Sequence, residues 1–589
     1  MDPRRVRLLV AWVAALVLIV SMEADAVGQG PAKTTSAPAA NSASPEAAPG
    51  LFVDVTEKDG VHFLHQAPHT TRKYLIETMG SGVALFDCDG DGRLDIYLVN
   101  GAPFSDPEPK GSIPQKTGPE YWNRMFHQKP DGTFEDVTEK SGLKGVGYGM
   151  GVAVADYDND GHEDVFVTGY GGNRLYHNNG DCTFTDVTEK AGVGGGGWST
   201  SATWVDLDND GLLDLVVDRY VKWDWEDVYC GEHREGLRGY CHPDVFEAIP
   251  MLVYHNDGNG HFTEVSKKLG LDKPAKALGI AIADYDRDGR IDLYVANDSM
   301  PEFLFHQKPD GTFEERGLDS GVAVNAEGQT YAGMGVDFSD YDNDGWPDVL
   351  VTDLANQRYA IYRNNGDSTF DYVSNLNGLG VITLLHSGWG ARFLDYDNDG
   401  WKDILIAQGH DLDTIEKQFP NLHYREPMLL ARNTGKKFVD VSAISGAVFK
   451  DAWVGRGMAI GDIDNDGRID AVVSTNGGPA HVMHNETKTA NHWITLHLTG
   501  HKSNRDGIGA VVKLTTPHGS QWVTVTTSSG YLSSSDPRAH FGLAYSATAT
   551  SIEIRWPSGI VQTLTNVKGD QQVQVDEPAE KSDAKAATP

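Results

Sequence analysis

The sequence predicts an all-β protein, a seven-bladed β-propeller followed by a small C-terminal β domain, and three observations predict it. A nine-residue pattern, D-x-D-x-D-G-x-x-D, occurs seven times. Short runs rich in β-branched residues flank every copy and read as strands. The segment LFVDVTEKDG (51–60), ahead of the first copy, is the element missing after the last.

The pattern explains its own chemistry. The carboxylates are Asp87, Asp89, Asp91 and Asp95; Asp156, Asp158, Asp160 and Asp164; Asp206, Asp208, Asp210 and Asp214; Asp284, Asp286, Asp288 and Asp292. They continue with Asp340, Asp342, Asp344 and Asp348; Asp395, Asp397, Asp399 and Asp403; Asp462, Asp464, Asp466 and Asp470. Four carboxylates so close repel one another unless a cation lies among them. Calcium takes six to eight oxygens in a flexible shell, whereas magnesium demands strict octahedral geometry and keeps its waters. Glycine at position 6 admits the sharp turn that brings positions 1, 3, 5 and 9 together. Each loop is therefore predicted to hold calcium, up to seven ions in all. An EF-hand would need Glu at position 12, but that position holds Leu98, Val167, Val217, Val295, Val351, Ile406 and Val473.

Each loop lies between two strands, such as GVAVAD before and DVFVTG after the second copy. A third strand, a polar turn and a fourth strand follow, as in NRLYHNNGDCTFTDVTEKAGV (173–193). Four strands per unit make a propeller blade. The last unit lacks its fourth strand, so the N-terminal strand is predicted to complete it and close a ring over 51–490, which leaves no open edge.

Composition narrows the partners. Lys plus Arg total 49 against 84 Asp plus Glu, a formal charge of −35, which excludes nucleic acid and an anionic membrane as partners. Arg4, Arg5 and Arg7 precede the apolar run LLVAWVAALVLIV (8–20), and Ala24-Asp25-Ala26 offers a cleavage site. Residues 1–26 read as a signal peptide, 27–50 as a flexible linker and 578–589 as a disordered tail. The expected location is secreted, periplasmic or cell-surface, with membrane association only where the N-terminal segment stays uncleaved. Cys230 and Cys241 are expected to form a disulfide within one insertion; the neighbouring His233 and His242 make zinc the alternative. Cys88 and Cys182 receive no pairing from the sequence.

The array resembles the FG-GAP (VCBS-type) repeats of integrin α-subunit propellers. The tail, with GHKSNRDGIGAVVKL (500–514), GYLSSSDPRAHFGL (530–543) and IEIRWPSG (552–559), resembles the ASPIC/UnbV domain, predicted to span 491–577. Together the two are similar to the bacterial relatives of cartilage acidic protein. The resemblance implies an integrin-like, secreted architecture and no particular ligand.

Strand order places the loops on one face of the ring and the insertions 101–122, 220–250 and 408–427 on the other, the expected recognition face. Tyr148, Trp198, Tyr331, Trp389 and Trp453 sit six to nine residues before their loops. They read either as stacking platforms for a ligand or as packing between blades. Arg392 and Arg456 could meet an anion or pair with local carboxylates, and His62, His65 and His69 form a histidine-rich start. No G-x-S-x-G, H-E-x-x-H or phosphate-loop pattern occurs. The predicted function is a calcium-binding adhesion or binding module for a protein or polysaccharide. The alternative is a calcium-dependent carbohydrate lyase or dehydratase using bases such as Glu77, His386 or Tyr331.

Overall fold

The computed structural model describes residues 50–231, 233, 236–528, 530–579 and 585–586. The expected signal peptide, almost all of the linker and most of the tail lie outside the described residues.

Seven antiparallel sheets carry the seven loops, six of four strands and one, in blade 4, with Tyr331–Ala332 added as a fifth. In blade 1, Val83–Phe86, Asp95–Leu98, Arg124–Gln128 and Phe134–Asp136 pair in chain order. The other blades repeat this, each with its loop between strands one and two. The innermost strands of blades 2 to 7 are Tyr148–Ala155, Ser199–Val205, Ala277–Ala283, Val336–Ser339, Gly388–Leu394 and Gly455–Gly461. Each packs against the next, and Gly455–Gly461 packs back onto Val83–Phe86, so the array is a closed ring. The closing blade is completed by the N-terminus: Phe52–Asp54 pairs antiparallel with His481–Asn485.

The second strands are buried along all or most of their length, as in Asp95–Leu98 and Asp348–Val351. Both faces of each sheet are covered by neighbouring blades, which is why these runs read as continuously apolar rather than alternating. Cys88 and Cys182 are joined in a disulfide with Cα atoms 5.0 Å apart across 94 residues, tying the first blade's loop to the second blade's outer turn. Cys230 and Cys241 are bridged as well, which takes both thiols out of any zinc site.

The C-terminal domain is two facing sheets. One joins His492–Thr499 to Ala539–Ala544 and, in parallel, to Gln571–Asp576. The other orders Gly519–Thr524, Val511–Thr516, Thr548–Arg555 and Val561–Lys568. Val512, Leu514, Ile552, Ile554 and Trp556 form its core, so Lys513, Glu553 and Arg555 take the opposite face.

This domain sits on the loop face and sends residues 530–536 down the axis of the ring. Gly530 exchanges backbone hydrogen bonds with Val336, at 2.6 and 3.1 Å. Val152 donates to the Leu532 carbonyl (3.1 Å), Leu85 to that of Ser534 (3.1 Å), and Ser534 donates to Val83 (3.0 Å). Leu532 donates to Ser201 Oγ (3.0 Å), and Ile460 donates to Ser535 Oγ (3.1 Å). At its tip Tyr531 meets Trp389 edge-on, ring centroids 4.9 Å apart, and both are buried. The axial groups of the inner strands thus find their partners in the C-terminal domain rather than in water.

Candidate functional site

The seven aspartate loops share one conformation, set by the pattern. Asp at position 1 accepts the N–H of position 5 on one oxygen and that of the glycine on the other, as Asp156 does from Asp160 (3.0 Å) and Gly161 (2.7 Å). Asp at position 5 accepts the N–H of position 7, as Asp160 does from His162 (3.0 Å). Asp at position 9 accepts the N–H of position 2 and that of the last third-strand residue, as Asp164 does from Tyr157 (3.3 Å) and Asn178 (2.7 Å). The glycine at position 6 has positive φ in every loop, as at Gly161 (φ 96°). Position 4 is left-handed too, which explains its asparagines: Asn159, Asn209, Asn343, Asn398 and Asn465 have φ between 57° and 60°.

A ring of buried amides, unread in the sequence, locks each loop to the next blade. The side-chain amides of Gln128, Asn178, Asn256, Gln307, Asn364, Asn433 and Asn485 donate to the position-2 carbonyl of the preceding loop. The distances run from 2.5 to 3.0 Å, and Gln128 closes the circle onto Ile463. The available signal was the recurring H-N, H-Q or R-N pair that ends strand three.

In blades 1 to 6 the residue before the amide faces the loop. His127 lies 3.0 Å from Asp95, His177 3.2 Å from Asp164, His255 3.0 Å from Asp214 and His306 3.1 Å from Asp292. In blades 5 and 6 arginine replaces histidine: Arg363 reaches Asp342 and Asp344 (2.6 and 2.7 Å), and Arg432 reaches Asp397 and Asp399 (3.3 and 2.7 Å).

The loop carboxylates are crowded and shielded. Burial, and then the neighbouring Asp506, push Asp156 up to about 8. Burial pushes Asp164, Asp214, Asp284, Asp340 and Asp462 up to about 7 and Asp206 up to about 6. Asp348, Asp395, Asp403 and Asp470 rise well above the ordinary carboxylate range for the same reason. One oxygen each of Asp89, Asp286 and Asp397 has no hydrogen-bond partner, and Asp397 is only 2% exposed. Hard, clustered oxygen donors left unsatisfied in this way fit a divalent cation.

The insertion face differs from expectation. Tyr148, Trp198, Tyr331, Trp389 and Trp453 are 0%, 0%, 2%, 1% and 9% exposed, so none is a stacking platform. They pack: Trp198 against Tyr220 and Trp223, Tyr331 against Tyr362, Trp453 against His481. Arg456 stacks 3.8 Å over Trp389 and donates to the carbonyls of Thr78, Gly409, Gly455 and His410. Arg392 lies 3.4 Å from Asp337. The insertions hold one another, with Trp225 donating to the Ser112 carbonyl (2.7 Å) and Lys417 to that of Gly236 (3.2 Å).

The three histidines reach different partners. His62 lies by Glu57, His69 by Tyr240, and His65 is buried and lowered to about 3 by desolvation. The candidate bases do not converge either. Tyr331 is held by Tyr362, and His386 by Glu426 (2.8 Å). Glu77 is fully buried, accepting from Thr70, Tyr74 and Tyr240. Burial raises Glu77 to about 7. The folded state therefore binds a proton here that the unfolded state releases near 4.5, and stability falls as pH rises from about 4.5 through 7. The group's share is about 3 kcal/mol. The melting temperature is expected to fall less between pH 5 and pH 8 in Glu77→Gln than in the unsubstituted protein, read by circular dichroism.

Comparison with known proteins finds two families in the chain. The FG-GAP-like repeat family matches residues 87–167, 156–217, 227–295, 284–351 and 340–406, and the ASPIC and UnbV family matches 500–582. Cartilage acidic protein 1 of Xenopus tropicalis is 27% identical over 325 residues, 52% of this chain and 46% of that protein. The Homo sapiens protein of the same name is 24% identical over 324 residues, 52% and 45% of the two chains. The matched region thus spans about half the length of these curated relatives. A solved structure described as YCF48 bound to D1 peptide is 8% identical with a TM-score of 0.38, covering 74% of this chain and 94% of that one. A likeness that weak carries nothing about ligand or activity.

Proposed function

The chain belongs to the FG-GAP-like repeat family and ends in an ASPIC and UnbV domain, and from that membership we propose an exported binding module whose ring is held together by calcium. The observation that carries the proposal is the set of seven loops that each bring four aspartates onto one turn, with burial raising carboxylates of every loop above their ordinary range. Asp at positions 1, 3, 5 and 9 of each loop would hold the ion, which supplies positive charge at the seam between blades. The hydrogen bonds of the loop pre-arrange the oxygens, so little ordering remains for binding to complete. Affinities of about 10⁻⁴–10⁻³ M are expected, as in other extracellular modules.

Two disulfides, one closing 94 residues, support an oxidising compartment. The net charge of −35 supports a partner that is neither nucleic acid nor an anionic membrane, which leaves a protein or polysaccharide. The test joins metal analysis of the exported protein to array binding of glycans and envelope proteins in millimolar calcium. Calcium on most loops together with saturable, chelator-sensitive binding is the expected result. Fully folded protein free of metal would overturn the proposal.

A further inference from the structure

One recurrent bond links neighbouring loops, and three of the seven seams lack it: the one after Gly90, which has no side chain to donate, and the two that flank blade 4. In four loops the position-4 asparagine donates its side-chain N–H to the glycine carbonyl of the following loop: Asn159 to Gly211, Asn343 to Gly400, Asn398 to Gly467 and Asn465 to Gly92, all at 2.9 Å. Around blade 4 this linkage is missing on both sides. Among the described residues Asn209 makes no such bond toward the fourth loop, and the fourth loop carries Arg287 in place of asparagine. Arg287 holds the same left-handed backbone (φ 58°), a conformation unfavourable for a long side chain. A rule broken at a cost to the backbone marks a place to look for function.

The gap opens into a cavity of about 370 Å³ between the loops of blades 3 to 5 and the outer face of the C-terminal sheet, within the size range of small-ligand sites. Asp206, Asp284 and Asp340 line one wall, and Lys513, Trp522 and Arg555 line the other. Lys513 is paired across the strands with both Trp522 and Glu553, which places these side chains in one row. Arg287 stacks 4.2 Å over Trp346 and 5.9 Å from Trp522, while Lys513 lies 5.1 Å from Trp522. Arg555 is paired with Glu553 (3.2 Å), but neither Arg287 nor Lys513 has an ion-pair partner among the described residues. Two unpaired cations converging on one indole are out of character in a chain of net charge −35.

We propose that this interdomain cleft binds a small carboxylate-bearing saccharide, its carboxylate on Arg287 and Lys513 and its ring against Trp522. The inference deepens the calcium-module reading and rests on it. With a cation on each loop of blades 3 to 5, the charge of its four aspartates falls from −4 to −2, so the repulsion of an anion is weakened and Arg287 and Lys513 supply the local positive charge. Trp522 supplies the flat apolar surface that a sugar ring covers, and Glu553 accepts hydroxyl hydrogens.

The test is titration calorimetry on the full chain in 5 mM calcium, with digalacturonate, its neutral counterpart digalactose, acetate and inorganic phosphate as probes. Saturable heat from digalacturonate alone is expected, weakening with added salt. Arg287→Asn installs the residue that five other loops carry, so its fold is secure; it and Lys513→Gln should each weaken binding about tenfold. Trp522→Ala should do the same with melting temperature checked alongside. Equal binding of digalactose overturns the charge assignment, and equal binding of acetate or phosphate overturns the saccharide assignment. An unaltered Arg287→Asn, or no heat from digalacturonate, overturns the cleft. Calcium that fails to raise the melting temperature overturns the underlying reading instead, so the two failures are distinguishable.

Discussion

Stripping divalent cations with EDTA is expected to lower the melting temperature by about 10 °C or more relative to 5 mM calcium. Each ion that binds only the folded ring contributes about 1–2 kcal/mol at 5 mM calcium, roughly five to fifty times the expected dissociation constant, and several loops act together. The loops are not independent, because each is bonded to the next blade through a buried amide. Loss should therefore be cooperative rather than seven small steps. The pH dependence has a definite sign. Without cations, loop carboxylates such as Asp164, Asp284 and Asp462, raised to about 7, hold protons in the folded state that the unfolded chain releases near 3.8. Stability in chelator is thus greatest at low pH within this window and is lost as pH rises through about 7. Calcium displaces those protons, so the gap between the two melting curves should widen from pH 5.5 to pH 8. Coincident curves at both pH values would remove the cations from the stability of the ring.

Removing the axial segment should be nearly as damaging. Replacing 530–535 by a short Gly-Ser linker is expected to leave orphaned the inner-strand N–H groups of Leu85, Val152, Val336 and Ile460, now bonded to that segment. Each buried unsatisfied group costs about 1–3 kcal/mol, and the two buried side chains Tyr531 and Leu532 add about 1.5–3 kcal/mol apiece. The protein should aggregate or fail to accumulate. A milder variant keeps the question answerable: Tyr531→Ala should fold yet lose about 3–5 kcal/mol, read as a lowered denaturant midpoint with unchanged slope. A chain cut after residue 490 that melts cooperatively at the same temperature as the full chain would show the ring to be independent of its plug.

What the residues determined alone was everything periodic. Seven identical D-x-D-x-D-G-x-x-D spacings, β-branched flanks and the displaced strand at 51–60 specify blades, loops and closure, because each depends on contacts within one repeat or between like repeats. The pairing of Phe52–Asp54 with His481–Asn485 follows from that periodicity. The burial of Trp198 and Trp389 was only half legible, since regular spacing fits both a ligand platform and a blade interface. Tertiary structure decided between them by bringing Trp223 and Tyr531 onto those rings. The partnership of Cys88 with Cys182, the insertion of residues 530–536 into the axis and the cleft around Arg287 were decided there too. Each joins segments far apart in the chain that share no repeat. Local propensity and spacing carry no information about such meetings; they arise only when a closed ring leaves a hole and a face that another domain can fill.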